Sequence, residues 1–305
     1  MPPKTDPYAN CGFFAILGAP NVGKSTLLNR MVGAKVSIVS PKVQTTRTRV
    51  LGICMAPEHN AQLIFIDTPG IFQPRRRLDR AMVAAAWGGA GDADDILLLV
   101  DATRGIDADS RDILKRLEAK GAKADMIINK VDLVKKNQLL GLAEELAAHP
   151  AAKEIFMISA ENGDGVDDLL AHIAAQAGPG PWMFPEDQIS DMPQRLLAAE
   201  ITREKLYLQL RQELPYAATV ETESWTDEPD GSAKVNQVIY VERATQKAIV
   251  LGKGGARIKS IGSDARGELE ELLGHRVHLF LFVKVRGKWG DDPARYSDWG
   301  LDYNA

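Results

Sequence analysis

Cysteine is nearly absent from this sequence: two residues in 305, Cys11 and Cys54, at no metal-ligand spacing. That excludes a disulfide framework and a cysteine zinc site, and it points to a reducing cytoplasm. Each thiol reads as a small buried hydrophobe. Long hydrophobic runs are missing as well. The strongest one, residues 96–100, falls far short of the roughly 20 residues that span a bilayer. The opening stretch MPPKTDPYANCG carries no apolar signal core, so export is not expected. Nor is there a surplus of positive charge. Lys+Arg number 37 against 41 Asp+Glu, a net −4, which taken globally speaks against nucleic-acid binding.

What is present is an ordinary globular composition, 45% hydrophobic and 26% charged, in a chain long enough for two domains. Strand-length apolar runs occur at residues 13–17, 63–66, 96–100, 126–128 and 155–158. Helix-length stretches lie between and after them at Lys24–Val32, 78–90, 108–120, 137–148 and 166–175. Short, almost wholly apolar strands alternating with helices predict an α/β domain with a mostly parallel sheet covered on both faces. Val50–Ala56 is less clear and fits an edge strand. Residues 178–190 are rich in Pro and Gly without periodicity and read as a linker. Beyond them the order becomes α-β-β-α-α-β, with a helix over residues 193–214, strands at 217–226, 234–242 and 277–285, and a second amphipathic helix after Gly255. The predicted division is a tail at 1–12, an α/β domain at 13–177, the linker, and a smaller α+β domain at 191–305.

Gly18, Ala19, Pro20, Asn21, Val22, Gly23, Lys24 and Ser25 spell G-x-x-x-x-G-K-S between a strand and a helix, with Thr26 next in line. Backbone N–H groups of such a loop turn inward around phosphate oxygens, and the helix N-terminus adds partial positive charge. Lys24 would reach the β- and γ-phosphates and Ser25 would ligate Mg²⁺. Asp67-Thr68-Pro69-Gly70 closes a strand, placing a carboxylate for the Mg²⁺ shell and a Gly70 N–H for the γ-phosphate. Asn129-Lys130-Val131-Asp132 ends another strand. A carboxylate at Asp132 accepts from guanine N1–H and its exocyclic amine, which adenine lacks at those positions. Asn129 would brace this loop and the Lys130 stem would cover the ring. In Ile158-Ser159-Ala160 the Ala160 N–H is placed to meet guanine O6.

Four elements in this order at successive strand ends resemble the translation-factor-like P-loop GTPases. That resemblance implies GTP and GDP binding, Mg²⁺ dependence and two switch segments. It implies that a threonine in Pro41–Arg47 ligates Mg²⁺, and the sequence does not choose between Thr45 and Thr46. A Ras-type enzyme has glutamine after the Gly70 position to orient water; here Ile71 can neither donate nor accept, so slow intrinsic hydrolysis is expected. In related GTPases with a hydrophobic residue there, an asparagine at the position of Asn21 helps hold K⁺, which supplies the missing positive charge. Lys24, Thr45, Thr46, Gly70 and Asn21 are thus the expected catalytic set. Arg75, Arg76, Arg77 and Arg80 read as a solvated charged face, with contact to RNA phosphates or a partner as the alternative.

In the second domain Gly252-Lys253-Gly254-Gly255 leads into a helix. The α-β-β-α-α-β order with this G-x-x-G loop resembles a type II KH domain, whose glycines let a single-stranded RNA backbone approach closely. Charge position supports it. Residues 181–305 hold 16 basic against 20 acidic groups, yet from Arg243 to Lys259 five basic residues (Arg243, Lys247, Lys253, Arg257, Lys259) stand without one acidic residue. Lys284, Arg286 and Lys288 form a second basic stretch. QTTR and DTPG in a GTPase followed by a KH domain, with VKVRGKW and GLDY near the C-terminus, resemble the bacterial Era GTPases. This resemblance implies binding to the 3′ end of 16S ribosomal RNA, a role in 30S subunit maturation, and a peripheral fraction at the inner face of the cell membrane. The expected state is a cytoplasmic monomer. Two other readings use the same residues: an RNA-binding module gated by nucleotide occupancy with incidental turnover, and a GTPase serving a protein or membrane partner.

Overall fold

The structure, a computed structural model, describes residues 9–42, 45–210 and 214–305. It divides into two compact units. The first holds the described residues through Ser37 with Thr46–Asp191 and Tyr296–Ala305; the second holds those of Ile38–Thr45 with Met192–Arg295.

In the first unit β1 (Asn10–Gly18), β2 (Val50–Ala56), β3 (Ala61–Asp67), β4 (Asp95–Asp101), β5 (Ala124–Asn129) and β6 (Ala152–Ile158) form a sheet in the order β2-β3-β1-β4-β5-β6. All these pairs are parallel except β2 with β3, so the doubtful segment is an antiparallel edge strand. Helices α1 (Lys24–Val32), α2 (Arg77–Asp92), α3 (Ala108–Ala119), α4 (Lys136–Ala147) and α5 (Val166–Gln176) connect them. β3 and β5 are buried at every position. This explains their unbroken apolar runs: helices cover both faces, so alternation has no use. Leu98, Val100, Met126 and Ile128 pack with Ile113, Leu114 and Leu117 of α3 and Leu142 and Leu146 of α4. The strand order reverses at β1, flanked by β3 and β4, and this is where α/β sheets open a crevice at the strand C-termini.

The segment expected as a linker, 178–190, is fastened along this sheet. β7 (Gly178–Pro179) pairs antiparallel with Asn10 and Cys11. The buried Gln62 amide donates to Phe184 O (2.9 Å) and accepts from the N–H groups of Met183 and Phe184 (2.8 and 3.0 Å). Ile53 N–H donates to Ile189 O (2.9 Å) and Ser190 Oγ to Leu51 O (2.7 Å). An exposed edge strand is a template for unwanted pairing, and these bonds cover part of β2. The expected tail, 1–12, lies outside the described residues up to residue 8; β1 itself begins at Asn10.

In the second unit α6 (Gln194–Gln209), β8 (Ala218–Asp227), β9 (Ala233–Val241), α7 (Ala244–Leu251), α8 (Ala256–Leu273) and β10 (Val277–Val285) reproduce the α-β-β-α-α-β order. β10 runs parallel to β9, and β8 antiparallel to it. Residues 211–213 of the expected first helix lie outside the described residues. Along α6, Leu206 and Tyr207 join Val220, Ile239, Val250 and Ile261 in one cluster. Leu208, expected in a core row, is 51% exposed near the end of α6, although Ile201 two turns earlier on the same face is buried. Arg203 is buried, pairs with Glu200 and donates to Thr45 O, while Glu204 accepts from Val39 N–H (2.8 Å). Burial alone would lower the Arg203 pKa, but the Glu200 carboxylate raises it, so the charge is permanent. The expected switch segment 41–47 is therefore split, with Thr45 counted in the second unit and Thr46 in the first; Val43 and Gln44 lie outside the described residues.

Candidate functional site

The loop from Gly18 to Lys24 occupies the crevice where the strand order reverses. Gly23 caps α1 with φ 101°, and a Cβ there would sit 2.3 Å from Asn129 Nδ2. Only glycine fits both conditions. Asn129, 2% exposed, ties three segments together: its Nδ2 donates to Val22 O (2.8 Å) and its Oδ1 accepts from Ala160 N–H (2.9 Å). The Ala160 N–H was expected to face guanine O6. It donates to the Asn129 carbonyl, which needs a donor when buried. Ser159 is buried and its Oγ accepts from Asn162 N–H (3.2 Å). Asp132 lies exposed in a short 3₁₀ turn at the mouth of the crevice.

Lys24 is buried at the base of the loop and donates to Gly18 O (3.1 Å) and Ala19 O (2.9 Å). Burial pulls its pKa down to about 8; Asp67 opposes the shift and Arg104 reinforces it. Asp67 ends β3 fully buried. Its Oδ2 accepts from Ser25 Oγ (2.7 Å) and Ser37 Oγ (2.9 Å), with Thr46 Oγ1 farther off at 3.5 Å. Ser25 Oγ and Thr46 Oγ1 are 2.9 Å apart. The other oxygen, Asp67 Oδ1, is buried without a hydrogen-bond partner. Burial raises the Asp67 pKa against the pull of Lys24 and the three hydroxyls. A buried, unsatisfied carboxylate oxygen beside two hydroxyls is a hard-oxygen donor set. Thr45 stands elsewhere, its Oγ1 donating to Lys42 O (2.7 Å). Geometry thus brings Thr46, and not Thr45, to Ser25 and Asp67.

Gly70 meets the phosphate loop so closely that a Cβ would be 2.9 Å from Pro20 Cα. Ile71 N–H donates to Gly18 O (3.1 Å), while its side chain is buried with Leu17, Ala86 and Trp87. Thr26 lies half-buried in the first turn of α1. Asn21 is exposed at the loop tip with φ 63°. Sequence reasoning missed Ser37, Asn29, Asp101 and Arg104. Asn29 Oδ1 holds the N–H groups of Val36 and Ser37 (2.9 Å each), which delivers the Ser37 hydroxyl to Asp67. Asp101 was the detectable one: a charged residue ending a buried parallel strand, the position from which α/β folds build sites. Arg77 stacks over the Tyr303 ring (4.3 Å) and Arg80 reaches Ala305 O (3.4 Å), so neither faces only solvent.

In the second unit Gly252, Gly254 and Gly255 all have positive φ (72°, 58° and 79°), which side-chain-bearing residues rarely adopt. Around Gly254 and Gly255 a Cβ would meet nothing within 4 Å, so the turn stands open. Arg243, Lys253 and Lys259 are exposed and Lys247 is half-buried. Arg257 folds back to donate to Ile249 O (2.5 Å) and so tightens the turn. Lys284 pairs with Glu223 and Arg286 with Asp292 (2.7 Å each), which offsets much of the second basic stretch.

Residues 13–130 match a family model described as a 50S ribosome-binding GTPase, and residues 213–290 match a KH-domain model. GTPase Era of Afipia carboxidovorans is 56% identical over 303 residues, covering 99% of this chain and 98% of that one. This chain belongs to the Era family of GTPases. The Sinorhizobium medicae member is 58% identical over 292 residues, 96% of this chain and 94% of its own. Two solved Era structures share the whole fold. One, an Aquifex aeolicus variant bound to GDP·AlF4⁻, has a TM-score of 0.90 at 41% identity, covering 95% of this chain and 99% of that one. The other, with MgGDPNP and nucleotides 1506–1542 of 16S ribosomal RNA, has a TM-score of 0.91 at 40% identity over 96% and 99%. The Era-type fold is therefore an α/β P-loop GTPase unit followed by a KH unit, as the strand and helix order predicted.

Proposed function

We propose that this chain is a GTP-hydrolysing switch that binds the 3′ end of 16S ribosomal RNA through its KH unit and serves assembly of the 30S subunit. The observation that carries this is the pairing of the Lys24–Asp67–Asn129 crevice with the open 252–255 loop in one chain. The full-length Era neighbour that holds both a GTP analogue and 16S RNA supports it. The family model for the first unit speaks of the 50S subunit; the 16S RNA in that full-length neighbour favours the 30S. Lys24 and the backbone of residues 18–26 bind the phosphates, Asp132 reads guanine, and Asn129 and Lys130 hold its loop. Arg243, Lys247, Lys253 and Lys259 supply salt-dependent attraction for RNA, and the glycines admit its backbone.

The residues fit a divalent cation. Asp67 Oδ1 is a buried acceptor without a donor, and the Ser25 and Thr46 hydroxyls adjoin its other oxygen. Ser25, Thr46 and Asp67 would hold Mg²⁺ there, which would supply neutralisation of phosphate charge. Ile71 has its side chain in the core, so intrinsic hydrolysis is slow, and Asn21 is the candidate ligand for a K⁺ ion. GTPase rates that are equal in KCl and NaCl with RNA present would remove that ion from the account. Among the described residues no helix is long and apolar enough to cross a membrane.

Crosslinking of the chain to RNA in growing cells tests the main reading. Reads concentrated at the 16S 3′ end, lost in Gly254→Asp while nucleotide binding persists, support it. Crosslinks to protein alone, or undiminished RNA crosslinks in the variant, would overturn it in favour of a GTPase with another partner.

A further inference from the structure

Asp101 ends β4 one position beyond the buried run 96–100 and is 4% exposed. Both of its oxygens are engaged. Oδ1 accepts from Thr103 N–H (2.9 Å) and Thr103 Oγ1 (2.6 Å); Oδ2 accepts from Lys130 Nζ (2.6 Å) and lies 3.5 Å from Arg104 Nε. Burial would raise its pKa, but the hydrogen bonds from Lys130 and Thr103 hold it below the ordinary carboxylate value. The two cations gathered on this carboxylate continue to the phosphate loop. Lys130 Nζ donates to Asn21 O (2.8 Å) and Arg104 Nη2 donates to Pro20 O (3.0 Å). The guanidinium is also held by Asp107 Oδ2 (3.2 Å), whose Oδ1 caps α3 through Ser110 N–H (2.8 Å).

The consequence follows from peptide planarity. In a trans peptide the C=O and the N–H of the next residue point in opposite directions. Fixing Pro20 O on Arg104 therefore aims the Asn21 N–H the other way, and fixing Asn21 O on Lys130 does the same for the Val22 N–H. These are consecutive N–H groups of a loop that cradles phosphate by its backbone. Asn21 itself holds a left-handed conformation, φ 63°, which asparagine adopts more readily than other side-chain-bearing residues. Thr103 and Asp107 in turn hold the loop between β4 and α3 that carries Arg104.

We propose that Arg104, seated by Asp101 and Asp107, is a positioning residue for the nucleotide: it sets the orientation of the Pro20–Asn21 peptide and so of the N–H that meets phosphate. This rests on the reading of residues 18–25 as the phosphate cradle. Arg104 touches no phosphate in this scheme; it acts through the loop backbone. Its single guanidinium spans Pro20 O, Asp101 and Asp107 at once, which one lysine ammonium has neither the reach nor the fork geometry to do.

The test compares full-length wild type, Arg104→Ala, Arg104→Lys and, as a same-charge control on exposed α3 surface, Lys115→Ala. Stopped-flow release of fluorescently labelled GDP is measured beside the unfolding midpoint without nucleotide. Arg104→Ala should release GDP about tenfold faster, the worth of one charge-assisted hydrogen bond, with its midpoint near wild type. Arg104→Lys should recover part of the difference, and Lys115→Ala should match wild type. Wild-type release from Arg104→Ala overturns the proposal, as does faster release matched by Lys115→Ala. If Arg104→Ala does not fold, Asp107→Asn keeps the helix cap and removes only the tie to Arg104; its release should be faster than wild type, and equality refutes. A wild-type protein that binds no labelled GDP would instead refute the phosphate-cradle reading.

Discussion

Nucleotide binding should draw a proton onto Lys24. Its ammonium is buried against Gly18 O and Ala19 O, and burial holds its pKa down to about 8 in the nucleotide-free protein. A phosphate beside it stabilises the charged form and raises that pKa. A group whose pKa rises on binding contributes affinity that is complete below the free value and lost as pH climbs through it. From a free value of about 8, roughly nine-tenths of Lys24 is charged at pH 7, half at pH 8 and a quarter at pH 8.5. The Kd for GDP should therefore weaken about fourfold between pH 7 and 8.5. Calorimetry in buffers of different ionisation enthalpy should find an uptake of about half a proton per GDP at pH 8 and about a tenth at pH 7. Folding carries the opposite sign: the folded value lies below the unfolded 10.5, so the cost of burying this ammonium falls, and stability rises, as pH climbs from about 8 to 10.5. A flat Kd over pH 7–8.5 with no proton uptake at pH 8 would refute the reasoning.

Two substitutions probe the crevice from other sides. Gly70→Ala places a Cβ 2.9 Å from Pro20 Cα and 3.0 Å from Pro20 N, backbone atoms that have no rotamer to yield; it should cost about 1–3 kcal/mol and lower kcat, checked by denaturant melts and turnover. Asn129→Ala strands the buried Val22 O and Ala160 N–H without partners. Equilibrium unfolding should show a loss of about 1–3 kcal/mol for each group left unsatisfied, and GDP binding should weaken with it.

The strands and the phosphate, Asp67-to-Gly70 and Asn129-to-Asp132 motifs are readable in the sequence for a local reason. A strand end and the loop after it are contiguous, so residue spacing alone puts Gly18, Asp67 and Asn129 on one sheet edge. The rest depends on partners far apart in the chain. The choice of Thr46 over Thr45 is made by Ser25 and Asp67, 21 residues to either side. The 178–190 segment looks unstructured by composition, yet its backbone is taken up by Gln62 and by β2, and no side-chain pattern records a bond made by main chain. Arg104 is one surface arginine among many until Pro20 O appears beside it. In the second unit the helix and strand order was readable and the exposure of Leu208 was not: Ile201, two turns earlier on the same face, is buried.

If the chain is the proposed switch, nucleotide on the first unit governs RNA binding by the second. Titrating an RNA covering the 3′ end of 16S ribosomal RNA into the chain loaded either with GDP or with a non-hydrolysable GTP analogue measures this. Binding should be tighter in the GTP-analogue state, by about tenfold as two-site coupling usually runs, and absent for Gly254→Asp in either state. Equal RNA affinity in the two nucleotide states would contradict it.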